Sequence, residues 1–68
     1  MMDAVDELRL VEGRIEAANE QLARNFGIYQ RRGGNVYLRR MKGITDNLEK
    51  LKGQHFLLDN YVKKNQNG

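Results

Sequence analysis

Two stripes of mostly apolar residues limit what this chain can fold into. Leu8, Val11, Ile15, Ala18, Leu22, Asn25 and Tyr29 follow one another at intervals of 3, 4, 3, 4, 3 and 4 residues. Met41, Ile44, Leu48, Leu51, His55, Leu58 and Val62 repeat the same intervals. This alternation keeps every member on one face of an α-helix and makes the stripe a heptad seam. A half-buried strand would need a period of two instead. Isolated helices of this length are marginal in water, so each seam must bury against something. The simplest fold is an all-α antiparallel helical hairpin, with arms of about 24 residues and roughly 36 Å long.

The ends of the arms carry their own signals. Asp3, Asp6 and Glu7 fall where the positive end of a helix dipole favours acids, which places helix 1 over about residues 3–26. Asp46 followed by Glu49 has the form of a capping box, and Lys63 and Lys64 suit a helix C-terminus. Helix 2 is therefore expected over about residues 44–64, with a frayed tail at 65–68. Proline is absent and 31% of residues are charged, a composition that suits long helices. The 68 residues make a single small domain.

A chain of this size buries only about 60% of its unfolded surface, and small domains usually add disulfides, a metal or self-association. There is no cysteine, which excludes disulfides and thiolate metal sites, and one histidine, His55, is too few for a zinc site of the usual kind. Self-association remains. Val5, Leu10, Phe26, Ile28, Phe56, Leu57 and Tyr61 lie outside the seams and widen the apolar face beyond what one helix covers. A homodimer forming a four-helix bundle is the expectation, with Leu10, Phe26, Phe56, Leu57 and Tyr61 as the self-association or partner face. The plainer alternative is that these are ordinary exposed apolar residues. Gly13, Gly27 and Gly53 share one heptad register opposite the seam, where each costs about 1 kcal/mol relative to alanine. They either admit a partner's backbone or are local weak points, and Gly27 is also a candidate helix stop.

Between the arms lies the stretch "GIYQRRGGNVYLRRMKG", residues 27–43. Residues 1–20 hold six acids against Arg9 and Arg14, a net −4; residues 21–45 hold six bases and no acid, a net +6; residues 46–68 hold three acids and four lysines, a net +1. These sum to the whole-chain +3 and leave the centre as a separate basic block. Two conformations suit it. Periodicity carries both helices inward, so that only "RRGGN" turns and Tyr29 and Tyr37 extend the stripes. Local chemistry favours a glycine cap at Gly27, with "IYQRR" and "NVYLRR" as a short β-ribbon around Gly-Gly.

The basic block suggests a non-catalytic binding protein. Arg24, Arg31, Arg32, Arg39, Arg40 and Lys42 would attract a polyanion, and Tyr29 or Tyr37 would stack on an unpaired base. Nucleic acid is one expected partner, although no zinc finger, RNP sequence, homeodomain pattern or clear helix-turn-helix is present. The alternative is a protein–protein adaptor, inhibitor or assembly component that uses the apolar faces, with the arginines steering towards an acidic protein surface. A charge run that only keeps the protein soluble is the structural alternative to both. Catalysis has little support: cysteine and serine are absent, and the single His55 and single Thr45 have no evident catalytic neighbours. "RRGG" lacks the longer glycine pattern and following Lys-Ser/Thr of a phosphate-cradling loop, and no cofactor or metal is expected. No apolar run approaches the roughly 18 residues of a membrane span, and the acidic start lacks the basic region of a signal peptide. A cytoplasmic, intracellular protein without membrane insertion is the expectation.

Overall fold

The computed structural model describes residues 3–66, which form two α-helices: α1, Ala4–Arg32, and α2, Asn35–Gln66. Gly33 and Gly34 alone separate them, and the helices pack against each other as an antiparallel hairpin. Their 29 and 32 residues correspond to about 43 and 48 Å of helix. The result is a thin rod of 53 × 19 × 14 Å.

Each end of α1 is closed by a specific residue. Asp3 is the N-cap in an extended conformation, and its Oδ1 accepts from the backbone N–H groups of Val5 at 2.8 Å and Asp6 at 3.0 Å. Two of the helix's orphan donors are thereby satisfied. At the other end, Gly33 adopts φ 70° and ψ −162°, and its N–H donates to the Tyr29 carbonyl at 2.7 Å. Arg31 and Arg32 occupy the last turn, where the helix dipole favours cations.

Both stripes face inward. Val11, Ala18, Leu48 and Leu51 are buried, at 4–7% exposure, and every other stripe member is half-buried. The polar members are accommodated without a buried network. Asn25 donates its side-chain amide back to the Gln21 carbonyl at 2.8 Å. His55 Nε2 lies 3.2 Å from Glu12 Oε1, at the half-exposed edge of the seam.

The structure settles the centre in favour of continuous helices and moves the expected boundaries. No strand occurs among the described residues, so the β-ribbon is corrected to helix. A lone two-stranded ribbon needs a surface to pack on, whereas continuing the helices lets Tyr29, Tyr37 and Met41 extend the seam. Helix 1 runs six residues beyond 26, and Gly27 is interior rather than a stop. Among the described residues only Gly33 and Gly34 have positive φ. Helix 2 starts nine residues before 44, so Asp46 and Glu49 are exposed mid-helix residues and not a capping box. Asn65 and Gln66 complete α2, while 67 and 68, the rest of the expected frayed tail, lie outside the described residues.

Candidate nucleic-acid interface

Helix continuity decides where the six central cations stand. Arg31 and Arg32 close α1, while Arg39, Arg40 and Lys42 lie in the second and third turns of α2. Arg24 sits two turns before the end of α1. All six are exposed, and all lie within about 15 Å of the turn along the rod axis. The nearest acids in sequence, Glu20 and Asp46, begin about 19 Å from the turn. Among the described residues none of the six cations has a carboxylate within 4.0 Å; the ion pairs present are His55–Glu12 and Lys63–Asp59, both in the distal half.

The start of α2 adds to this field. Gly34, which precedes it, has no side chain to cap the helix, and no acid occupies its first turn. The positive dipole end is thus not offset there, in contrast to the start of α1, where Asp3, Asp6 and Glu7 gather. Arg31 and Arg32 meanwhile answer the dipole of α1, so part of their charge has a structural role.

The two tyrosines separate. Tyr29 stays in the α1 seam, and its carbonyl receives the Gly33 N–H. Tyr37 faces a cleft of about 310 Å³ at the end of the rod, lined by Ile28, Arg31, Arg32 and Tyr37. The Arg40 guanidinium stands over the Tyr37 ring at 5.6 Å from its centroid, a cation–π distance. Arg31 Nε donates to the Gly27 carbonyl at 3.3 Å, which steadies the guanidinium beside the cleft. With the first stripe member taken as heptad position a, Arg24 and Arg31 fall at c, and Ile28 and Arg40 at g. They belong to one flank of the hairpin. Arg39 and Lys42 fall at f and b, towards the back and the other flank.

The expected partner face divides in the same way. Leu10 and Leu57, both at position c, line one groove of about 380 Å³ with Glu7, Arg14 and Gln54. Tyr61 lines a second cleft with Ala4 and Val5 at the open end. Phe26 and Phe56 fall at e and b, on the opposite flank, so the five residues do not make one surface. All five are exposed, at 43–69%. Val36 and Leu38 are also exposed apolar residues near the turn, outside the set expected from the sequence. Ile28 was missed as a site residue, although its position between Arg24 and Arg31 at helical spacing puts it on their flank.

Comparison with protein-family models, curated proteins and solved structures finds no match to this chain. No helix among the described residues is long and apolar enough to cross a membrane. No group of three or more metal-ligating side chains occurs among them either.

Proposed function

We propose that this chain is a non-catalytic binding protein whose basic end contacts nucleic acid or another polyanion. The observation that carries the reading is the cluster of six exposed cations at one end of the rod, none with a carboxylate within 4.0 Å among the described residues. Six cations without local counter-charges concentrate field at the turn and favour phosphate, for which the arginine fork is well shaped. If all six meet phosphates of duplex DNA, log K falls with log salt at a slope of roughly −5. The test is fluorescence anisotropy of labelled duplex and single-stranded DNA and RNA across salt concentrations. Arg31→Ala combined with Arg32→Ala is expected to weaken binding and to flatten the duplex slope by about 2, with the helical circular dichroism unchanged. Equal slopes for the two proteins would remove these arginines from the interface.

A second reading is compatible with the first. The groove shared by Leu10, at 43% exposure, and Leu57, at 69%, favours a protein partner on the c/g flank, and a second copy forming a four-helix bundle is the simplest one. That groove lies about 35 Å from the turn.

A further inference from the structure

We infer that the cleft at the basic end takes one unpaired nucleotide, its base against Tyr37 and Ile28 and its phosphate on Arg31 and Arg32. The inference rests on the polyanion reading and deepens it from any polyanion to single-stranded nucleic acid.

Three features separate this cleft from a plain charged surface. It joins a ring, an aliphatic side chain and two guanidinium groups in one concavity across the two helices. Its volume of about 310 Å³ is near the lower limit of small-molecule sites, about 300 Å³, which suits one base and not a duplex. Its ring is also held in place. Arg40 stands over Tyr37 at 5.6 Å, and a Cβ on Gly34 would sit 3.7 Å from Tyr37 Cδ2, so the ring edge lies against the turn. A pre-positioned ring loses little freedom when a base stacks on it, and every base offers a π-face. Arg24 falls on the same flank, about two turns before the end of α1.

Duplex DNA keeps its bases stacked and paired, so it can use only the charges. The geometry therefore predicts a preference for strands with unpaired bases, and it assigns the stacking to Tyr37, which lines the cleft, rather than to Tyr29, which does not.

The experiment measures anisotropy of a short labelled oligothymidylate, the same backbone with abasic residues, and a duplex of equal length, with heparin as competitor. Oligothymidylate is expected to bind roughly 5- to 150-fold more tightly than the abasic strand. Tyr37→Leu, which keeps an apolar residue in the seam, should abolish that difference while leaving abasic and heparin binding unchanged. Tyr37→Phe should retain it. Equal affinity for the oligothymidylate and abasic strands overturns the nucleotide site, and that comparison needs no variant. If those strands and heparin all bind equally, the nucleotide site fails and the polyanion reading stands. If none binds at physiological salt, both fail.

Discussion

Gly33 shows how much a single residue contributes to this fold. Its φ of 70° and ψ of −162° lie in a region that glycine alone occupies comfortably. From there its N–H reaches the Tyr29 carbonyl and ends α1, and the chain reverses within two residues. Gly33→Ala is expected to cost about 1–3 kcal/mol of stability in urea unfolding, although a Cβ there meets nothing within 4 Å. The penalty would come from backbone conformation and not from a clash. Gly13, Gly27 and Gly53 differ: their φ is not positive and a Cβ at any of them meets nothing within 4 Å. Within the hairpin no close backbone approach requires them. Among the described residues the turn is the one place where glycine is demanded.

The two helices differ in how their starts are specified. α1 has a capping side chain and acids in its first turn; α2 has a glycine before it and no acid. Asp3→Ala should therefore lower stability by about 1 kcal/mol through loss of the cap. Asp46→Ala should instead leave stability unchanged or raise it by up to roughly 0.7 kcal/mol, since alanine is the better residue inside a helix. Thermal unfolding followed by circular dichroism would distinguish them, and a loss of stability at Asp46 would contradict its mid-helix place. The hairpin stripes were fully legible in the sequence because a helical period is a local property, repeated over seven positions in each arm. The element ends were not. "NFGI" and "Asp46–Glu49" both resemble helix boundaries, but a local signal worth about 1 kcal/mol gives way when continuing the helix half-buries Tyr29, Tyr37 and Met41 along the seam.

At the scale of the molecule, the hairpin has a slender core. Among the described residues four are buried, two from each helix, along a rod 53 Å long. The core is thin because each helix presents one stripe to its partner and the rest to solvent. The proposed second copy on the Leu10–Leu57 groove would stabilise such a rod by mass action, so its melting temperature should rise with protein concentration. Leu57→Asp should remove that dependence and halve the mass seen by sedimentation equilibrium, with the basic end still able to bind. A wild-type mass of one chain at all concentrations would exclude the dimer. The charge of the rod is graded from end to end, with net −3 over residues 1–20 and 46–68 together (−4 + 1) and +6 over residues 21–45. Long-range attraction of an anion therefore acts on the turn end, and falls with salt.

The sequence by itself determined that there would be two amphipathic helices, which of their residues would face inward, and that the cations would share one segment. Those are properties of spacing and composition, readable from one stretch of chain at a time. Only the tertiary structure decided that the segment is the end of a continuous hairpin, that Tyr37 and not Tyr29 stands in a cleft with Arg31 and Arg32, and that Leu10 and Leu57 share a groove. Each of these depends on which residues of one helix come level with which residues of the other. That register is set by two glycines at the turn and by the packing of the whole seam, and no local window of sequence contains it.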